Sequence, residues 1–287
     1  MAFNAAVFKT RALTALLFVV VMLCGIFIHE YIFAALFFGI MLGCLWEAAK
    51  LHLFYIYKTL GVTYTYNCML LMCSFGNITL VLLLINNALP HIFLQLPLVI
   101  LSGVGIYNVV VNKQHLKSIK PPSGTNKNNL VFILFYTLLI PFSFYALISL
   151  RINYGTAIAC LVIFSMWIND TMAYLVGSFI GKTPLSKISP KKTWEGTIGG
   201  VILCALIMGF GMPIIFDIKF AHYHIFIIAA ICGIVGTLGD LAESKFKRLA
   251  NVKDSGTFMP GHGGFLDRFD SIIFGSFFVW AYLILFL

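Results

Sequence analysis

Hydrophobic residues run along this chain in long stretches, without the alternation of half-buried strands or the polar face of surface helices. Runs able to cross a hydrocarbon layer of about 30 Å, which takes about 20 residues each, fall near 12–28, 31–49, 66–86, 90–111, 130–150, 155–180, 197–216, 222–241 and 271–287. They are too long and uniformly apolar for barrel strands. Lipid offers no hydrogen bonds to a bare backbone, so the pattern predicts helices. The expected fold class is all-α, a polytopic membrane protein of about nine transmembrane helices.

Composition sharpens this picture. The chain is 61% apolar and 10% charged, against about 25% charged for ordinary soluble domains. Its formal charge of +9 would suggest nucleic acid in a soluble protein, but the positions of the basic residues say otherwise. With the N-terminus inside, 17 of the 19 Lys and Arg fall on one side, and only Arg151 and Lys219 on the other. By the positive-inside rule this predicts N-in, C-out topology, with the charged loops in the cytosol. The expected location is a cytoplasmic (inner) membrane, with membrane lipid and no nucleic acid as partner. Lys9 and Arg11 ahead of an apolar run imitate a secretory signal, but no convincing small-residue cleavage site precedes His29, so an uncleaved first helix is expected. The seven cysteines form no CxxC pair and give little support to disulfides or zinc.

Polar residues divide the chain in two. Residues 1–150 hold about five spans with almost no ionisable groups apart from Glu47, and one long Pro/Gly/Asn-containing connection, VNKQHLKSIKPPSGTNKNN, whose lysines suit anionic head groups. This half reads as a scaffold for dimerisation and lipid contact. Residues 151–287 carry about four spans and the polar inner loops, and read as the catalytic region. Between 240 and 270 stand ten of the 29 charged residues.

Four constellations stand out. Asn169 and Asp170 lie inside the sixth span, where an unpaired acid costs several kcal/mol, so Asp170 is a functional candidate or an interhelical hydrogen-bonding group. GKTPLSKISPKKTWEG, 181–196, combines four lysines with glycines and reads equally as a solvated basic loop or a phosphate site; Ser189-Pro190 there suggests a helix N-cap. Asp240, Glu243, Ser244, Lys247 and Arg248 share one face of the helix leaving the eighth span. MPGHGGFLDRFDS then leads into the last helix, with Asp267 and Asp270 three apart at its start. These acids either complement the helix dipole or join Asp240 around a hard cation. His262 reads as a loop histidine or an acid/base.

Taken together, the last two constellations resemble the signature of the phosphatidate cytidylyltransferase (CDP-diacylglycerol synthase) family. Ser244, Lys247-Arg248, Lys253-Asp254, His262-Gly263-Gly264 and Asp267-Arg268-x-Asp270 match its spacing, with Met259 where another apolar residue is more usual. NDTMAY and SPKKTWEG are similar to further motifs of the family. The resemblance implies transfer of the cytidylyl group of CTP to phosphatidate, giving CDP-diacylglycerol and pyrophosphate. It further implies Mg²⁺, with Mn²⁺ as a substitute, held by Asp240 and Asp267, K⁺ as a possible second ion, and a homodimer. Asp254, Asp270 and Asp170 are expected to support the site beside His262. Lys247, Arg248, Lys253 and Arg268 are expected to bind phosphates, with Ser244, Gly263 and Gly264. Lys191, Lys192, Thr193 and Glu195 would form the opposite wall. The nearest alternative is a CTP-dependent polyprenol or phytol kinase; a cation-coupled transporter is a third reading, which leaves the clustered inner charges without a purpose.

Overall fold

The computed structural model describes residues 5–56, 127–218, 220–259 and 263–287. The described residues hold six helices: α1 (Ala5–Phe27), α2 (Glu30–Ile56), α3 (Lys127–Ile180), α4 (Trp194–Ile215), α5 (Tyr223–Leu249) and α6 (Leu266–Phe286). Among these residues there is no strand, only isolated bridges between Pro184 and Thr193 and between Met259 and Gly263. Five stretches, Glu30–Leu51, Leu139–Ile180, Trp194–Ile215, Tyr223–Leu249 and Leu266–Phe286, are long and apolar enough to cross a membrane, and Ala12–Phe27 is a shorter apolar helix. The chain is an integral membrane protein of all-α class. The spans expected near 66–86 and 90–111 lie outside the described residues. So does most of the connection between the chain's two halves, although the loop expected to reach Asn129 gives way to helix at Lys127, beyond its last glycine.

α3 is two helices joined across a kink. Gly155, at φ +83°, breaks it where the sequence separates the spans 130–150 and 155–180. Just before the break, buried Arg151 donates from Nε to the Ile26 carbonyl at 3.4 Å. A cation thus meets the carbonyl end of α1, where the helix dipole favours positive charge.

α4 explains how the bundle holds together without a polar exterior. Gly196, Gly200, Cys204, Met208 and Met212, every fourth residue, are buried. Ile198, Ile202, Leu206, Phe210 and Ile214 form an equally regular row on the outside, Ile214 being 84% exposed. Glycines and Cys204 in the first half of the helix, then the flexible Met208 and Met212, face inward, and bulky Ile, Leu and Phe face outward, in keeping with small-residue helix packing within lipid. A Cβ added at Gly196 or Gly200 would lie 2.7 Å from atoms of Ala173 on α3, so these glycines set the α3–α4 separation. α3 also packs against α2, α5 and α6, and α5 lies between α4 and α6.

The N-cap expected at Ser189-Pro190 is corrected. Ser189 accepts from the Lys192 N–H at 3.1 Å in a turn, and α4 starts later. Its cap is Thr193, whose Oγ1 accepts from the Gly196 N–H at 3.1 Å. Pairing of Leu185 N–H with Lys192 O at 2.7 Å and of Trp194 N–H with Thr183 O at 2.9 Å closes the loop first and delays the helix.

Replacing Gly196 with Leu is expected to separate α3 from α4 and lower stability by about 1–3 kcal/mol, as overpacking does. Unfolding of the purified variant in detergent checks this, with Ile202→Leu on the lipid-facing row expected to be neutral.

Candidate active site

The charged end of the bundle is built by the end of α5, the 250–265 connection, the start of α6, the 156–180 limb of α3 and the 181–193 loop. Asn251, with φ +58°, ends α5 in the left-handed conformation, and Val252 N–H returns to Lys247 O at 3.0 Å. Arg248 closes this turn by donating Nη1–H to Val252 O at 2.8 Å.

A cavity of about 860 Å³ opens between these elements. Its lining includes Asp170 and Thr171 from α3, Ser189, Lys191, Lys192 and Thr193 from the loop, Thr197 from α4, Thr237 and Asp240 from α5, and Asp267, Arg268 and Asp270 from α6. Seven of the candidates drawn from the sequence as charged groups, Asp170, Lys191, Lys192, Asp240, Asp267, Arg268 and Asp270, therefore meet in one space although they span about a hundred residues. Asp170 is exposed to it, while its neighbour Asn169 is buried and donates to Thr237 Oγ1 at 3.5 Å, tying α3 to α5.

Lys192 forms an ion pair with Asp240, fastening the loop to α5. Ser244 donates to Asp240 Oδ1 at 3.3 Å. Lys247 Nζ lies 2.5 Å from Glu243 Oε2 and donates to Asp267 Oδ1 at 2.7 Å, so one ammonium bridges two carboxylates. Asp267 Oδ2 accepts from the Ser255 N–H at 2.9 Å and the Gly264 N–H at 2.7 Å. Gly263, at φ +88°, makes that approach possible, because a Cβ there would run into the Asp267 carboxylate.

Other expected residues stand away from the cavity lining. Ser244 and Lys247 act on Asp240 and Asp267 from behind. Glu195 accepts from the Lys182 N–H, Thr183 N–H and Thr183 hydroxyl at 2.8–3.2 Å, which holds the loop against the start of α4. Arg248, Lys253 and Asp254 are exposed and, with Gly263 and Gly264, are not among the lining residues. His262 lies outside the described residues.

Two acids given no role by the sequence reading are central. Glu243 is fully buried, and its Oε1 has no hydrogen-bond partner among the described residues. Its carboxylate, with those of Asp240 and Asp270, offers oxygens all within 4.8 Å of one another. Three carboxylates at that spacing, one of them buried with an orphaned oxygen, suit a hard divalent cation such as Mg²⁺. Glu47, the second acid, reaches the connection from α2: its Oε2 accepts from the Ser255 hydroxyl at 2.6 Å and the Leu266 N–H at 2.9 Å, its Oε1 from the Phe265 N–H at 3.0 Å. The available signal for Glu47 was its isolation in an apolar half; for Glu243 it was its place on the polar face of α5.

Residues 9–286 match the model of the cytidylyltransferase family. The chain belongs to that family. Over 110 residues it is 51% identical to the phosphatidate cytidylyltransferase of Staphylococcus saprophyticus, covering 38% of this chain and 42% of that one. Over 129 residues it is 43% identical to the phosphatidate cytidylyltransferase of Bacillus subtilis, covering 45% and 46%. These alignments thus span less than half the length of the curated relatives. In this member of the family an apolar groove of about 370 Å³, lined by Trp194, Ile198, Ile202, Ile234 and Leu238 among others, adjoins the polar cavity and shares Thr197 and Thr237 with it.

Removing the bridging ammonium leaves a buried carboxylate uncompensated. Lys247→Met is expected to destabilise the fold by about 3–5 kcal/mol, and adding Glu243→Gln to recover part of that loss. Denaturant unfolding of the two single variants and the double variant checks the coupling.

Proposed function

We propose that this chain transfers the cytidylyl group of CTP to phosphatidate, forming CDP-diacylglycerol and pyrophosphate. The observation that carries this reading is the meeting of Asp240, Asp267, Asp270, Lys192 and Arg268, parts of separate family-like motifs, around one cavity at the charged end of an apolar bundle. Membership of the cytidylyltransferase family and likeness to proteins named phosphatidate cytidylyltransferase support it.

In the reaction, a phosphate oxygen of phosphatidate attacks the α-phosphorus of CTP in line. A new P–O bond forms there as the bond to the β-phosphate oxygen breaks, and pyrophosphate carries away the bonding pair. The demands on the protein are chiefly positioning and charge neutralisation. Lys191, Lys192 and Arg268 supply cations to anions that otherwise repel each other. Ser189, Thr193 and Thr197 offer hydroxyls along the same wall. Lys247 orients Asp267 and Ser244 orients Asp240, while Asp170 keeps a supporting role in the cavity lining. Asp240, Glu243 and Asp270 would hold Mg²⁺, or Mn²⁺ in its place, with K⁺ as a second ion. Asp267, the ligand that the family resemblance implies beside Asp240, has both oxygens engaged by Lys247 and by the Ser255 and Gly264 N–H groups and borders the ion from there. When bound, the divalent ion supplies neutralisation of phosphate charge and polarisation at the reacting phosphorus.

We also assign the apolar groove to an acyl chain of the lipid substrate, because it joins the cavity at Thr197 and Thr237. Head group and tail would then occupy adjoining polar and apolar spaces. The same reading has the charged end facing the cytosol from an inner membrane, with N-in, C-out topology, and the chain acting as a homodimer.

Purified protein given phosphatidate, Mg²⁺ and CTP labelled at the α- or γ-phosphate tests the proposal. Label from the α-position is expected in the lipid and γ-label in pyrophosphate, with Asp240→Asn slowing turnover about 10²–10³-fold. Lipid carrying only γ-label would make the chain a lipid kinase and overturn the reading. Ile202→Trp, which fills the groove, is expected to raise KM for phosphatidate while leaving KM for CTP unchanged.

A further inference from the structure

α6 begins without a cap of its own. Its N-cap residue is Phe265, an aromatic in right-handed helical conformation with no side-chain hydrogen bond to the helix. The first N–H groups of a helix lack intrahelical partners and carry partial positive charge. Here Glu47, 218 and 219 residues away in sequence, accepts from the Phe265 and Leu266 N–H groups. Glu47 is 5% exposed, and no Lys, Arg or His pairs with it among the described residues. Its compensation comes from two helix-start N–H groups and the Ser255 hydroxyl.

Ser255 joins this cap to the cavity. Its hydroxyl donates to Glu47, while its backbone N–H donates to Asp267 Oδ2 at 2.9 Å. Asp267 also accepts from the Gly264 N–H, next to the residues held by Glu47. The two carboxylates therefore share Ser255 and hold the adjacent residues Gly264, Phe265 and Leu266 between them. Gly256 and Gly264 leave room for the grip, since a Cβ at either would strike the Glu47 carboxylate. Asp267, Arg268 and Asp270, all in the first turns of α6, line the cavity.

We propose that Glu47 is a positioning residue for the cavity: by capping α6 from α2 and holding Ser255, it sets where Asp267 and Asp270 present their carboxylates. This rests on the cytidylyltransferase reading for its kinetic consequence, though not for its structural one. It makes the N-terminal half a working part of the site, because α2 supplies the cap. Gln at this position keeps the shape but turns one oxygen into a donor, which meets an N–H and cannot accept from it.

The test compares the parent, Glu47→Gln and Ser255→Ala in detergent, by kinetics and by amide hydrogen exchange over residues 253–270. For Glu47→Gln the expected result is a fall in kcat of about 10- to 100-fold, as small misplacements produce, with more Mg²⁺ needed for half-maximal rate. KM for CTP and phosphatidate should stay within about twofold, and exchange at Phe265 and Leu266 should quicken. Ser255→Ala should shift the same quantities in the same direction by a smaller factor. Parental kcat and Mg²⁺ requirement in a folded Glu47→Gln protein would overturn the proposal; so would an equal rise in both KM values with kcat unchanged. Should Glu47→Gln not fold, Ser255→Ala decides: faster exchange with lower kcat supports the role, and parental values in both refute it. A parent inactive with CTP and phosphatidate would sink the functional reading alone, leaving exchange at 265–266 to judge the cap.

Discussion

Carboxylates at the end of an apolar bundle must each find a cation or a set of N–H donors, and the local structure follows from how they do so. A buried unpaired acid is costly enough to change its protonation or unfold its surroundings. Lys247 serves two acids at once, joining Glu243 within α5 to Asp267 at the start of α6. Lys192 ties Asp240 to the basic loop. Glu47 is met by N–H groups at a helix start and by the Ser255 hydroxyl. These pairings connect α2, α5, α6 and the 181–193 loop through their polar ends, where tight small-residue packing alone would leave the elements free to slide.

The compensation is uneven, and the unevenness is chemically useful. Asp267 and Glu47 are well supplied with donors. Glu243 keeps an oxygen with no hydrogen-bond partner among the described residues, close to Asp240 and Asp270. Asp240 and Glu243 are paired with Lys192 and Lys247, but Lys247 is shared with Asp267, so the three carboxylates of the cluster have fewer ammonium partners than charges. A divalent cation would supply the charge that this grouping lacks.

Much of this was legible in the sequence. Long apolar runs gave the described helices, including the separation at Gly155, because lipid constrains length and polarity strongly. The NDTMAY and SPKKTWEG segments and the end of the signature place Asp170, Lys191, Lys192, Thr193, Asp267, Arg268 and Asp270 around one cavity, while Ser244, Lys247, Arg248, Lys253, Asp254, Gly263 and Gly264 stand outside its lining. What escaped were contacts decided by tertiary packing. Nothing local says that Glu47 will cap a helix more than two hundred residues on. Ser189-Pro190 carries the chemistry of a helix start, yet loop closure moved the start to Thr193. Glu243 lies on the polar face of α5 in a helical projection, but its full burial beside Asp270 of α6 is a matter of tertiary packing.

The central claim is that the acids at the junction of α5 and α6 form a shared site for a divalent cation. Titration of purified protein with Mn²⁺, read by electron paramagnetic resonance in the absence of either substrate, addresses it most directly. The account predicts saturable binding that weakens at least about tenfold in Asp240→Asn, of the size seen when metal-site groups are altered. Equal affinity in the parent and in an Asp240→Asn/Asp270→Asn protein would contradict it.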